Sequence, residues 1–438
     1  MVRIGLMAKR TSLTSRRTFL GGLCGFALVP ERSPAAAAPQ ALLLRAAVTK
    51  IALRPGQREA PIWSLNGPTP GTALRFKQGE EVEISLQNDL PVPVALDLRG
   101  LDGNTAAEPL TVRPPLAPAA TTTFRLPLRH AGNFLCDIRL LADGAAAARS
   151  LPLVVEEANA VAGRDEIFLV EDWRVNSDGT LAAPGSSPGD TAPLLTVNGG
   201  LMPDIAVRSG ERLRFRFING CQRQIIAVKI ENYQVHVVAL DGQPSEPFFA
   251  RNGALVLAPG GRADALIEVT ASPGSTSAIL VHDGKEARPA ARLVTSTEPP
   301  VPSQPLPPQL PSNGLPAQLD LRNALRVELA LTGSEWVVPA TFATSAAPAF
   351  HAKKGRVVVL ALTNRTATAM VFHLHGHHFR LLDRLDDGWK PYWLDTLAVE
   401  PGQTERIAFL AEYAGRYLLE STATDWAAPK LVRWYAVE

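Results

Sequence analysis

The densest chemistry in the chain lies in Phe372-His373-Leu374-His375-Gly376-His377-His378, which holds half of its 8 histidines. His373 and His375 stand two apart, and on a strand residues i and i+2 share a face, so both rings aim at one cavity. Two imidazoles alone hold a divalent ion poorly. Carboxylates from Asp97 and Asp137 would complete a two-His, two-carboxylate site suited to zinc, iron or copper. The competing reading hydrogen-bonds the two rings to those same carboxylates. Two triplets repeat one pattern, Asp97-Leu98-Arg99 and Asp137-Ile138-Arg139. Arginine stays protonated and has no lone pair to give, so Arg99 and Arg139 read as ion-pair partners of Asp97 and Asp137. His377 and His378 are expected in interdomain packing and at the surface. Cys136 and Cys221 fall in or beside strand patterns and read as inert buried thiols. The sequence offers no Ser-His-Asp set and no phosphate-binding glycine loop.

The elements that must position these residues are strands. Val82-Glu83-Ile84-Ser85-Leu86 and Leu213-Arg214-Phe215-Arg216-Phe217 alternate apolar and polar, while Val357 to Leu362 is aliphatic throughout and suits a strand buried on both faces. With 37 prolines and 33 glycines, the chain favours short strands joined by turns. Turn signals include Asn66-Gly67-Pro68, Asn198-Gly199 and Pro259-Gly260-Gly261. Three segments rhyme. Each has a strand rising from a glycine turn (Lys77-Gln78-Gly79-Glu80, Arg208-Ser209-Gly210-Glu211, Lys353-Lys354-Gly355-Arg356), and each closes that strand with an Asn: Asn88, Asn219 and Asn364. One β-domain repeated three times is the economical reading.

Composition narrows the class. The 438 residues suggest about three domains at roughly 150 residues each, and 46% hydrophobic residues allow each a core. A net charge of +2, from 44 Lys+Arg against 42 Asp+Glu, argues against a nucleic-acid binder. Three cysteines exclude a disulfide scaffold and a Cys-rich metal site. The front reads as an export leader: Ser15-Arg16-Arg17-Thr18-Phe19-Leu20, a mild apolar run Gly21 to Val29, then Ala35 to Ala38. The paired arginines specify the twin-arginine route, so the Tat machinery is an expected partner and the periplasm the expected compartment. The apolar run is too short and glycine-rich to anchor in a bilayer, so no transmembrane anchor is expected. Leu23 before Cys24 is a poor lipoprotein cleavage site. The expected organisation is a leader at 1–38, domains at 39–158 and 159–297, a proline-rich linker at 298–317 and a third domain at 318–438.

Five motifs in order carry a family likeness: Leu65-Asn66-Gly67-Pro68-Thr69-Pro70-Gly71, Leu195-Thr196-Val197-Asn198-Gly199, Leu240-Asp241-Gly242-Gln243-Pro244, Leu257-Ala258-Pro259-Gly260-Gly261-Arg262-Ala263-Asp264 and Phe372-His373-Leu374-His375-Gly376-His377. Together they resemble the three-domain multicopper oxidases, the laccase-like proteins. The resemblance implies an all-β chain of three cupredoxin-like Greek-key β-sandwich domains. Family members that catalyse hold a mononuclear copper on a Cys thiolate and two imidazoles, and a trinuclear cluster on four His-X-His pairs. Carried over position by position, the first pair falls at Asp97 and Arg99, the second at Asp137 and Arg139, and the third at His373 and His375. The fourth falls at Glu420 and Thr422 and brackets Ser421 in place of the thiolate. The other mononuclear ligands fall at Met370 and Trp426, with Leu431 axial. Eight histidines in all cannot supply the full set of ten.

Two functions follow. One is a periplasmic, copper-free binding or scaffolding protein, similar to the cell-division-associated member of the family and carrying no cofactor. The other is a metal-dependent oxidoreductase using copper at His373 and His375. Copper storage is disfavoured by only 4 methionines and the lack of a Met- or His-rich tract.

Overall fold

The computed structural model describes residues 40–54, 56, 58–67, 72–159, 163–302, 309–383, 388 and 390–438. Residues 1–39, which hold the expected twin-arginine leader and Cys24, the stretch 68–71 and the middle of the proline-rich linker lie outside the described residues. Among those described, the strands form six sheets that pair into three all-β sandwiches along the chain.

In the first, the strands Ala60–Leu65, Gln40–Ile51, Glu81–Asn88 and Thr121–Pro127 lie in that order, facing Leu74–Lys77, Leu151–Glu156, Gly132–Asp137 and Asp97–Arg99. The strand Glu81–Asn88 buries every second residue, the period expected when one face meets a core. Its Val82, Ile84 and Leu86 meet Phe124, Phe134 and Leu153. In the last sandwich the aliphatic strand is Val357–Thr363. Val358, Leu360 and Leu362 enter one core while Val359 enters another with Leu319, Trp393 and Ala408, so both faces are covered.

Each sandwich carries the same crossover. Gln40–Ile51 runs parallel to Glu81–Asn88, Arg164–Val175 to Arg212–Asn219, and Leu325–Ala330 to Val357–Thr363. The first two of these second strands end on a fully buried asparagine and the third is followed directly by one, and all three asparagines have one job. Asn88 donates to the carbonyls of Val92 and Leu116 and accepts from the Leu90 amide. Asn219 donates to Gln224 and Leu257 and accepts from Cys221. Asn364 donates to Thr368 and Val399 and accepts from Thr366. A side-chain amide that satisfies three backbone groups at a strand's end removes the need for a ladder there. No helix among the described residues is long and apolar enough to cross a membrane.

Candidate metal centre and its ion-pair walls

The strand Met370–Leu374 is buried along its length between Thr396–Val399 and Gly415–Ala423, with His373 opposite both Thr396 and Glu420. After His375 the chain must turn. Gly376 does so at φ +74, where an added Cβ would fall 2.2 Å from the Tyr417 ring. The short strand Asp97–Arg99 faces this pair from the first sandwich, with Asp97 opposite Asp137. Asp97, His373 and His375 each offer a buried ligand atom, and the three lie within 4.8 Å of one another. Asp137 is not among them.

The carboxylates around the rings differ from those expected. His375 Nδ1 lies 3.0 Å from Glu108 Oε1 and its Nε2 lies 2.9 Å from Glu420 Oε1, while Asp97 stands back at 3.8 Å. His373 turns its Nδ1 to the Asp395 carbonyl at 3.0 Å and the Thr396 hydroxyl at 3.1 Å. A carbonyl only accepts, so Nδ1 carries the proton and Nε2 keeps its lone pair. Asp137 is committed elsewhere. It accepts from the Arg139 guanidinium at 2.6 Å, and Arg139 also reaches the Gly220 carbonyl at 2.6 Å. Arg99 lies 3.0 Å from Glu420 and 3.4 Å from Asp97, and Lys430 lies 3.2 Å from Glu420. Of the two aspartates expected beside the rings, Asp97 is there and Asp137 is not, and Glu108, Glu420 and Asp395 are the nearer partners. Glu108 and Asp395 carry no motif: each is a lone acid in an otherwise apolar stretch, and only that incongruity hints at burial with a partner.

Burial and these pairings set the protonation states. Burial and the Arg99 charge drive His373 down to about 3, so this ring is neutral. His375 moves the other way against burial: Glu108 and Asp97 raise it well above its ordinary value, and it stands as an imidazolium between two carboxylates. Burial pushes Asp97 up to about 6 despite His375 and Arg99. For Asp137 the Arg139 pairing outweighs burial and brings it to about 2. Glu420 is held well below the usual range, burial being overcome by Lys430 and Arg99.

The remaining sequence candidates scatter. Met370 is a core residue, and Ser421 donates to the Leu331 carbonyl at 2.6 Å. Trp426 turns its indole N–H to the Ala183 carbonyl at 3.1 Å. Thr422 lines the cavity beside Arg99, and Leu431 is half-buried against the last core. Neither His377 nor His378 reaches the surface. His377 sits among Phe409, Tyr413, Tyr417 and Tyr435, bonded to the Tyr435 hydroxyl at 2.7 Å. His378 joins all three sandwiches, with Asp102 at 2.8 Å, the Asp241 carbonyl at 2.8 Å and Asp395 at 3.6 Å. Cys136 and Cys221 are free, buried thiols that burial pushes up out of the reactive range.

The multicopper oxidase family matches residues 47–135, 164–297 and 319–438, most of the chain. Among curated relatives, multicopper oxidase MmcO of Mycobacterium tuberculosis is 23% identical over 410 residues, covering 80% of this chain and 78% of that protein. Cell division protein FtsP of Pectobacterium atrosepticum is 28% identical over 250 residues, so the match spans 51% of each chain. Among solved structures, a multi-copper oxidase from Pseudomonas thermotolerans superposes with a TM-score of 0.77 at 25% identity, covering 92% of this chain and 100% of that one.

Proposed function

The chain belongs to the multicopper oxidase family, and on that premise we propose that its histidine–arginine cavity is an ion-paired core in place of a copper cluster. The protein then works as a non-catalytic binding or scaffolding protein of the bacterial cell envelope. The observation that carries this reading is the seating of Arg99, 3.0 Å from Glu420 and 3.4 Å from Asp97, beside an imidazolium whose two ring nitrogens already face Glu108 and Glu420. A trinuclear cluster does not fit such walls. Arg99 and Arg139 offer no lone pair. At an effective dielectric of about 20, two unit charges 4 Å apart interact by roughly 4 kcal/mol, and a dication doubles the repulsion from each guanidinium. The Arg16-Arg17 leader supports export by the Tat machinery to the periplasm, and the likeness to FtsP supports a partner among cell-division proteins. Elemental analysis of chain exported by the twin-arginine route is expected to find far less than one copper per molecule. A stoichiometric content removes this reading.

A second reading rests on the proximity of Asp97, His373 and His375. These three would hold one ion, with His373 giving its Nε2 lone pair and His375 first losing a proton and a carboxylate partner. Such an ion would supply Lewis acidity or one-electron chemistry for an oxidoreductase. Replacing His373 and His375 with Ala separates the readings. Unchanged metal content and unchanged phenol oxidation leave the enzymatic reading without support.

A further inference from the structure

We propose that the cavity walled by Arg99, Arg139, Arg223 and Lys430 is a binding site for one halide-sized monovalent anion. Four cationic side chains line it with two carboxylates, Asp143 and Glu420, while Asp97 and Asp137 face Arg99 and Arg139 from outside the lining. Its volume is about 30 Å³. A water molecule needs roughly 10–15 Å³ measured the same way, so the space takes two waters or one small ion and excludes sulfate or phosphate.

The wall also leaves donors unmet. Arg99 gives its Nη2 to Glu420 and faces Asp97, yet its buried Nε has no acceptor. Arg223 gives Nη2 to Asp143 and the Ala428 carbonyl and Nη1 to the Gln222 carbonyl, and its buried Nε is likewise unmet. Both residues are at least nine-tenths buried and both line the same cavity. An orphaned donor on a buried cation is costly, and an anion satisfies it more fully than a neutral water does. The backbone keeps the approach open. Gly260 lies on the cavity wall at φ +85, and a Cβ there would stand 3.0 Å from Arg99 Cδ and 3.2 Å from its Nε. This gives the Pro259-Gly260-Gly261 turn a role beyond reversing the chain. The site rests on the copper-free reading, since His373 and Glu420 line the same cavity, but its probe is bromide rather than copper and the two can fail separately.

Bromide is the probe. Crystals of the exported protein grown in sodium bromide should show an anomalous peak in hydrogen-bond contact with the Nε of Arg99 or Arg223. In solution, bromide should raise the thermal midpoint saturably above that in sodium gluconate at equal ionic strength. Arg223→Gln should cut that bromide response at least fivefold. Should that variant fail to fold, Thr422→Leu fills the cavity without changing its charge and should abolish the response. Density for water alone, or a full bromide response in the variant that folds, overturns the proposal. So does a crystal peak without a saturable response in solution, which marks an adventitious ion only.

Discussion

The interior of the middle sandwich is built of rings and aliphatics. Phe168, Phe215 and Phe217 pack with centroids 5.3–6.3 Å apart, surrounded by Val237, Ile267 and Ile279. The walls where the sandwiches meet are also buried, yet there Asp97, Arg99, Asp137, Arg139, His375 and Glu420 are among the buried residues. The two regions tolerate change in opposite ways. An apolar core loses the transfer and packing energy of the atoms removed, and its losses are graded. A buried ion-pair network loses more, because deleting one member strands its partners without solvent. The charged wall is therefore weak evidence of stabilisation and strong evidence of constraint.

The sharpest break of this contrast is Arg99→Met, which leaves Glu420 and Asp97 without their guanidinium. Chemical denaturation should show a loss of about 3–5 kcal/mol, and a loss below 1 kcal/mol would mean that the wall is wet. Next is pH. His378 is raised from 6.5 to about 9, because Asp102 and Asp395 together with the Asp241 carbonyl outweigh burial. His130 and Gln243 also face it. The folded state then binds a proton that the unfolded chain has shed. This contribution is full below pH 6.5 and is lost as pH rises through about 9, on the order of 3 kcal/mol. Denaturation midpoints measured across that window should fall, and His378→Gln should flatten the fall. In a double-mutant cycle, Arg99→Met with Glu420→Gln should show a coupling of roughly 0.5–3 kcal/mol. The smallest effect belongs to the apolar core, where Ile267→Val should cost only about 0.5–1.5 kcal/mol in the same assay.

The contrast also separates what was legible in the chain. Gly79, Gly210 and Gly355 and the asparagines that close the following strands act within their own sandwich, so a threefold repeat can be read from local pattern. His373 on its strand with His375 one residue past the strand's end, and the pairing of Asp137 with Arg139 two residues away, were legible for the same reason. Arg99 and Glu420 stand 321 positions apart and were linked only through the family likeness. Glu108 offered only the hint of a lone acid in an apolar stretch, with nothing to say which partner it meets. It follows a single 3-10 turn, Thr105–Ala107, and reaches His375 only once two sandwiches have packed together. His378 was placed partly at the surface because a His-His pair has no period of its own. Its burial comes from three carbonyl and carboxylate partners donated by other segments.

In the proposed function, fixed cations stand where the family's metal cluster would. Anomalous diffraction at the copper edge, from crystals grown in cupric solution, tests it most directly. At most one peak, beside His373, is the predicted result, and three neighbouring copper ions in the cavity would contradict it.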